Sequence, residues 1–213
     1  MDTRGLLLAF STPPPGEEGA FNAWYDEHAP ARLSVPGVVS ARRYQAVSDD
    51  GPRYMACYDL EAPETLARPE YRRLRDDPSP GDREMMPRLP LLERRVLRLL
   101  LGTQGWTEDP PYQLTFAYDP ADGTTTDNVV DWYRDEHIPM LLDIPGWRRV
   151  RLFEQVEGDG PRIIALHELE SPDVFETDGY RQATSTPWRE RIVGAASRRE
   201  RHLFKFLKSF RRP

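Results

Sequence analysis

The stretch Trp24-Tyr25-Asp26-Glu27-His28-Ala29-Pro30 returns later in the chain as Trp132-Tyr133-Arg134-Asp135-Glu136-His137-Ile138-Pro139. Flanking residues return as well, since Pro36-Gly37 is matched by Pro145-Gly146. The spacing is 109 residues, which predicts two copies of one small fold that align without a gap. Residues that differ between the copies are therefore as informative as residues that match.

Strand and helix signals follow the same order in each copy. An apolar run at 5–11 precedes a helix-period stripe, a Pro-Gly stop, two strands joined by a turn, a second helical region and a closing strand. This β-α-β-β-α-β order is typical of a ferredoxin-like fold. We predict an α+β protein with one repeat at 1–104, a second at 112–213 and a linker at 105–111.

The first helix of each copy carries a histidine on its apolar stripe. The stripe is Phe21, Trp24, His28, Ala31 and Val35 in the first copy, and Val130, Tyr133, His137, Met140 and Ile144 in the second. Because such a stripe faces the sheet, His28 and His137 are predicted to point inward. Pro30 and Pro139 predict a kink or a restart in each helix, since proline lacks the backbone N–H.

The Trp-Tyr-Asp-Glu-His-x-Pro stretch, followed by Pro-Gly eight residues after the histidine and then by an Arg/Tyr strand, resembles the EthD-like branch of the dimeric α/β-barrel superfamily. Both His28 and His137 keep that spacing. The resemblance implies that two tandem ferredoxin-like repeats form an intramolecular dimeric α/β barrel. It also implies a catalytic histidine at this position, as in the lactone-isomerase members of the superfamily.

The most informative mismatch sets Tyr58 of the first copy against His167 of the second. Side chains alternate along a strand, so Tyr58 is predicted near His28 and His167 near His137. Two histidines are better equipped to move a proton than a histidine and a tyrosine. We therefore predict the more active site in the second copy, with His137, His28 and His167 as catalytic candidates. Ordinary packing roles for these side chains are the alternative.

Aromatic side chains supply the predicted substrate contacts, because an aromatic lining suits a flat, ring-bearing ligand. The candidates are Tyr133, Trp24, Tyr58, Tyr44, Trp132, Trp147 and Phe153. Tyr44 and Tyr133 are the hydroxyls expected to donate to a substrate carbonyl. A place in the core is the alternative for each ring.

No cofactor or metal is expected. The sequence has no phosphate-binding glycine loop, dinucleotide fingerprint, zinc-spaced Cys/His set or nucleophile-elbow serine. A metal site at Asp26, Glu27 and His28, or at the matching residues of the second copy, is not expected, because adjacent helical residues point away from one another. Their carboxylates are predicted to face solvent or to pair with arginines.

Composition predicts a cytoplasmic protein with neither nucleic-acid nor membrane partners. The net charge is −6, whereas nucleic-acid binders usually carry a basic face; the Arg- and Lys-rich segment 188–213 leaves an anionic partner as the lesser alternative. Cys57 is the only cysteine, so no intrachain disulfide forms. The apolar run at 6–10 is too short for a signal peptide or a membrane span. Association into a further homodimer is left open.

The primary hypothesis is a cofactor-independent isomerase, cyclase or dehydratase that acts on an aromatic or polyketide-like small molecule by histidine-mediated proton transfer. The alternatives are a cofactor-free monooxygenase acting on a phenol and a non-catalytic small-molecule-binding or stress-response protein. Haem binding through His28 or His137 is a further alternative.

Overall fold

The computed structural model describes residues 3–103 and 109–211. The chain divides into two compact units, Met1–Arg98 with Val156–Gly158 and Leu207–Pro213, and Leu99–Gln155 with Asp159–Phe206. Positions 105–108 of the predicted linker lie outside the described residues, and the predicted domain boundaries stay a prediction.

The first repeat places the strand that follows the hairpin turn at the centre of its sheet. Its elements are β1 (Gly5–Thr12), α1 (Glu18–Leu33), β2 (Val38–Ala46), β3 (Tyr54–Leu60), α2 (Pro69–Asp76), α3 (Pro80–Met85) and β4 (Leu91–Gly102). β3 lies between β1 and β2, β4 pairs with the other side of β1, and all pairs are antiparallel.

The second repeat follows the same plan with its first and last helices broken by π-turns. Its elements are β5 (Tyr112–Asp119), α4 (Thr126–Trp132), a π-turn (Tyr133–His137), α5 (Ile138–Leu142), β6 (Trp147–Glu157), β7 (Ile163–Leu169), α6 (Asp178–Ala183), α7 (Pro187–Arg189), a π-turn (Glu190–Gly194) and β8 (Ser197–Phe210). β7 lies between β5 and β6, and β8 pairs with β5, again antiparallel throughout.

The predicted fold class is confirmed. The chain is an α+β protein with β-α-β-β-α-β order in both repeats, and the strands of each repeat form an antiparallel sheet. Both central strands are buried along their whole length, which explains why β3 and β7 read as apolar runs rather than as a polar–apolar alternation. In β3, Ala56 and Tyr58 belong to the core beneath the helices.

The gap-free alignment predicted from the sequence is wrong by one residue. The tryptophans Trp24 and Trp132 stand 108 residues apart, whereas His28 and His137 stand 109 apart. The π-turn Tyr133–His137 absorbs the extra residue. It preserves the local geometry, because the Trp–His ring centroids are 4.3 Å apart in the first repeat and 4.4 Å apart in the second.

The same insertion shifts the buried face of the second helix. Val129 is fully buried and Val130 only half-buried, so the predicted stripe is one residue out of register before the π-turn. The prolines behave differently as well. α1 continues through Pro30, whereas Pro139 lies in the first turn of the restarted helix α5.

Glycine is required where each first helix gives way to a strand. Gly37 and Gly146 have φ of +90° and +91°, a left-handed conformation that costs other residues about 1–2 kcal/mol. Gly37→Ala and Gly146→Ala should each lower the free energy of unfolding by that amount, measured by urea denaturation. The control is Gly19→Ala, in the first turns of α1 with open space around it, which should be neutral or stabilising. A loss at Gly19 equal to that at the other two positions would contradict this account.

Candidate functional site

A cavity of about 540 Å³ lies in the first unit, between α1, the sheet and the short helices that follow β3. We call it the first cavity. Its apolar wall includes Leu7, Ala9, Trp24, Tyr71, Leu74 and Met86. Its polar lining includes His28 and Arg32 of α1, Tyr58 of β3 and Asp82 of α3.

His28 and Asp82 form a buried pair at this surface. Nδ1 of His28 lies 2.7 Å from Oδ1 of Asp82, and the indole N–H of Trp24 donates to the same oxygen at 2.9 Å. The two residues are only 9 % and 5 % exposed. The hydroxyl of Ser79 accepts the backbone N–H of Asp82 at 3.1 Å and so caps α3 at the turn that carries the carboxylate.

Arg32 completes the charge balance of this pair. One guanidinium nitrogen lies 3.5 Å from Oδ2 of Asp82, and another donates to the backbone carbonyl of His28 at 3.2 Å. Burial lowers the pKa of His28 to about 4; Arg32 acts in the same direction, and the bond to Asp82 opposes it. Burial works against ionisation of Asp82, but His28, Arg32 and Trp24 together lower its pKa to about 2.

These pKa values set the protonation state of the pair near neutral pH. The carboxylate is ionised and the imidazole is neutral, so Nδ1–H of His28 donates to Asp82. The lone pair then resides on Nε2, and no described residue hydrogen-bonds to that atom. An orienting carboxylate behind a neutral imidazole is the arrangement used by general bases.

Tyr58 of β3 also lines this cavity. The residue is 2 % exposed, and its hydroxyl interacts with that of Tyr25 but forms no hydrogen bond of regular geometry with the described residues. Burial raises the pKa of Tyr58 well above its usual range, so the group stays protonated. It can therefore donate to an oxygen of a bound molecule.

The corresponding cavity of the second unit, which we call the second cavity, measures only about 70 Å³. His137 and His167 both line it, as do Trp132 and Trp147. The predicted proximity of the two histidines is thus present. His137 is 7 % exposed and His167 is 3 % exposed.

Two larger side chains account for the smaller volume. Phe116 occupies the strand position that Ala9 holds in the first repeat, as the pairing of each with its central strand shows. Trp147 likewise follows Pro-Gly where the first repeat has Val38. The Trp147 ring packs edge-on against His167, with centroids 5.3 Å apart. The second cavity thus has aromatic rings at two strand positions where the first repeat has smaller side chains.

The charge beside the histidine is reversed between the repeats. Thr186 caps α7 by accepting the backbone N–H of Arg189, just as Ser79 caps α3 at Asp82, so Arg189 stands in the place of Asp82. Glu136 accepts the indole N–H of Trp132 at 3.0 Å, and Nδ1 of His137 has no hydrogen bond among the described residues.

Burial is the main cause of the lowered pKa values of His137 and His167 in the second cavity. Burial lowers the pKa of His137 to about 3, with Arg189 acting in the same direction and the Ala183 carbonyl opposing. Burial, then His137 and Arg201, lower the pKa of His167 to about 3. Both imidazoles are neutral near neutral pH, and neither has a carboxylate to hold a proton in place.

The structure brings some predicted site residues together and separates others. Trp24, Tyr58 and His28 line the first cavity, and Trp132, Trp147, His137 and His167 line the second. Tyr133 is buried beside His137, with ring centroids 5.2 Å apart, and lines neither cavity. Tyr44 and Phe153 are turned to the other face of the sheet, because their neighbours Arg43 and Leu152 face the helices.

Sequence reasoning missed Asp82, Arg32 and Arg189. The carboxylates adjacent to the histidines were the visible candidates, but Asp26 pairs with Lys208 at 2.8 Å on the surface and Asp135 pairs with Arg134. The available signal was the mismatch between Ser79-Pro80-Gly81-Asp82 and Thr186-Pro187-Trp188-Arg189. Across residues 3–103 and 109–211, no three His, Cys, Asp or Glu side chains converge as metal ligands, and no helix is long and apolar enough to span a membrane.

No family model matches the sequence, and no curated protein matches it. Several solved structures are similar to this chain. An anthrone oxidase-like protein is similar at 12 % identity and a TM-score of 0.70, over 99 % of this chain and 94 % of that one. A mutant chlorite dismutase from Candidatus Nitrospira defluvii is similar at 9 % identity and a TM-score of 0.64, over 98 % and 92 %. A monooxygenase-like protein from Listeria innocua is similar at 8 % identity and a TM-score of 0.55, over 97 % and 95 %.

The chain has the dimeric α/β-barrel fold. These likenesses confirm the predicted fold and, at such low identities, concern the fold alone. They do not single out the EthD-like branch, which stays a prediction.

Acid should destabilise the protein through its buried histidines. An unfolded histidine titrates near pH 6.5, whereas the folded pKa values are about 4 for His28 and about 3 for His137 and His167. The unfolded chain therefore binds more protons as pH falls from 6.5 to 4, and each histidine lowers the free energy of unfolding by up to ~1.4 kcal/mol per pH unit. Urea denaturation at pH 7, 6 and 5 measures this slope. His167→Gln should reduce it by one histidine's share, and an unchanged slope would count against burial as its cause.

Proposed function

We propose that this protein is an enzyme that isomerises, cyclises or dehydrates an aromatic or polyketide-like small molecule by proton transfer through His28. The observation that carries the proposal is the His28–Asp82 pair, which lines an apolar cavity of about 540 Å³. A cavity of this size suits a drug-sized ligand, and an aromatic and aliphatic lining favours a ring system.

The first step of the proposed reaction is removal of a proton from a carbon next to a substrate carbonyl. Nε2 of His28 accepts the proton, and the electron pair of the broken C–H bond moves to the carbonyl oxygen to give an enolate. Asp82 stabilises the imidazolium that forms, because its carboxylate already accepts the Nδ1–H. Tyr58, which lines the same cavity, donates a hydrogen bond to the enolate oxygen in this proposal.

The second step returns the proton. Delivery of the Nε2 proton to another carbon of the ligand completes an isomerisation, and delivery to a departing hydroxyl completes a dehydration. Ring closure follows when the enolate carbon attacks a second carbonyl of the same molecule and Nε2 protonates the resulting alkoxide. Each outcome restores the neutral imidazole, so the pair needs no partner beyond the substrate.

This assignment differs from the sequence-based preference for the second repeat. That preference rested on the number of histidines, whereas the proposal rests on an orienting carboxylate and on space for a ligand. The second cavity, with about 70 Å³ and Arg189 at the position of Asp82, offers neither. Activity in the second repeat stays a prediction that the variants below also test.

Replacement of His28 should abolish proton abstraction without abolishing ligand binding. A suitable probe is an anthrone-type aromatic ketone, chosen because one similar structure is an anthrone oxidase-like protein. His28→Gln should lower the rate of enzyme-dependent deuterium incorporation from D₂O, followed by ¹H NMR, by roughly 10²–10⁴-fold. Because the base acts when unprotonated, the wild-type rate should fall only as the pH drops towards the pKa of about 4 for free His28.

The matched control is His137→Gln, which removes the equivalent imidazole of the second repeat and should leave the exchange rate unchanged. Asp82→Asn keeps the size of the side chain and removes its charge, so it should slow exchange while Tyr58 and Trp24 still bind the ligand. Full exchange activity in His28→Gln, or its loss in His137→Gln alone, would overturn the assignment.

A cofactor-free monooxygenase is the second candidate. The same deprotonation, applied to a phenol, gives an electron-rich anion that can react with oxygen, and one similar structure is a monooxygenase-like protein. Oxygen consumption that accompanies deuterium incorporation, and that His28→Gln abolishes, would favour this reaction. Exchange without oxygen uptake favours isomerisation or cyclisation. Binding of the probe without either would favour a binding protein.

An absorbance spectrum of the purified protein tests the haem alternative. A band in the Soret region that His28→Gln removes would place an iron on Nε2, the atom that the proposal uses as a base. The two roles are mutually exclusive at one nitrogen, so this result would replace the proposal.

The small side chain of Ala9 contributes to the volume of the first cavity. Ala9→Phe introduces the side chain that the second repeat carries as Phe116, and the cavity has room to receive it. We expect affinity for the aromatic probe to fall at least about tenfold, by loss of buried ligand surface, measured by quenching of tryptophan fluorescence. Ala23→Phe, at an exposed position of α1, is the control and should bind normally. Unaltered affinity in Ala9→Phe would place the ligand elsewhere.

A further inference from the structure

The second cavity collects positive charge without a matching carboxylate. Arg189 and Arg201 both line it, and no aspartate or glutamate among the described residues does. Neither arginine forms an ion pair with a described residue, although Arg201 lies over the Phe175 ring, 4.6 Å from its centroid. In the first cavity, by contrast, Arg32 faces Asp82 and Arg94 pairs with Glu157.

Two histidines that line the second cavity each have a buried ring nitrogen without a partner among the described residues. Nδ1 of His137 and Nδ1 of His167 make no hydrogen bond with the described residues, although the side chains are more than nine-tenths buried. A buried polar atom without a partner costs free energy, so native structures usually supply one from protein, water or a ligand. The cavity of about 70 Å³ has room for a group of several water-sized atoms.

The two histidines differ in what they offer to such a group. His167 has no partner that fixes its tautomer, so it can carry its N–H on Nδ1 and donate. Nδ1 of His137 has no hydrogen bond with the described residues, so it can accept one when the N–H is carried on the other ring nitrogen, on the side of the Ala183 carbonyl that acts to raise the pKa of His137. The complementary ligand therefore has anionic oxygens for the guanidiniums and for His167, and a hydroxyl for His137.

We propose that the second cavity is a binding site for a small oxyanion that carries a hydroxyl group, of the class of hydrogen phosphate. Arg189 and Arg201 pair with its charged oxygens, in the fork geometry that guanidinium groups offer to phosphate. The stacked Trp132 ring supports His137, with centroids 4.4 Å apart, and the edge of Trp147 supports His167. The inference does not depend on the reaction proposed at His28.

Isothermal titration with inorganic phosphate at pH 7 and constant ionic strength tests this site. We expect one phosphate to bind per chain, and Arg189→Gln or Arg201→Gln to weaken binding at least about tenfold, the equivalent of one charge-assisted hydrogen bond. Arg189→Lys, which keeps the charge but not the fork, should retain part of the affinity. Sulfate, which has the same shape but no hydroxyl at this pH, should bind more weakly than phosphate.

Two control variants and a measurement of folding accompany the titration. Arg191→Gln removes the same charge two residues from Arg189, at a position outside the second cavity, and should bind like the wild type. His28→Gln should also bind phosphate normally, so that loss of the proposed reaction and loss of this site are distinguishable. Circular dichroism establishes that each variant is folded.

The absence of saturable phosphate binding by the wild type would overturn the proposal. Equal affinity in the wild type, Arg189→Gln and Arg201→Gln would do the same, because it would assign any binding to another surface. Sulfate binding as tight as phosphate would remove the role given to Nδ1 of His137, and with it the hydroxyl-bearing class of ligand.

Discussion

Each repeat buries an imidazole against its sheet, and burial removes the water that would satisfy the two ring nitrogens. The requirement follows from the fold, because the histidine lies on the helix face that covers the central strand. A buried polar ring must find a protein partner, hold a ligand or remain unsatisfied. The first repeat supplies a carboxylate from α3, and the second leaves Nδ1 of His137 without a hydrogen bond to a described residue. The chemical difference between the cavities follows from these two outcomes.

The two repeats differ both in the charge of the residue beside the histidine and in the volume of the cavity that the histidine lines. An aspartate beside a neutral imidazole orients it and stabilises its protonated form, whereas an arginine in the same place disfavours protonation. Phe116 and Trp147 line the second cavity with His167, at the strand positions that Ala9 and Val38 hold in the first repeat. A proton-transfer site needs both a stabilised imidazolium and room for an organic ligand, and only the first cavity offers both. A cationic cavity of small volume suits an anion better than an aromatic substrate.

The fold was predictable because its signals are local and occur twice. Pro-Gly stops, hairpin turns and apolar strands specify β-α-β-β-α-β order in either copy. Because the same signals occur in both copies, a coincidental pattern in one copy does not mislead the assignment. The π-turn was harder to predict from the sequence, because one inserted residue leaves the motif recognisable. The insertion nevertheless rotates the preceding helical turn, so that Val129 rather than Val130 lies in the core. The candidate site was predictable only on its helix and strand, where periodicity orients His28 and Tyr58. Asp82 comes from a six-residue helix 54 positions beyond the histidine, and no periodicity links the two.

The helices α3 and α7 therefore decide what each cavity can do. A capping hydroxyl, from Ser79 or Thr186, fixes the backbone three residues before the variable position, so the side chain at Asp82 or Arg189 can change while the helix start is retained. The core beneath the first helices and the order of the strands do not depend on that choice, because neither residue belongs to the apolar clusters. Fold and chemistry are thus carried by different residues in this chain. One repeat carries an imidazole–carboxylate pair and the other carries two arginines that form no ion pair with a described residue, on the same order of strands and helices.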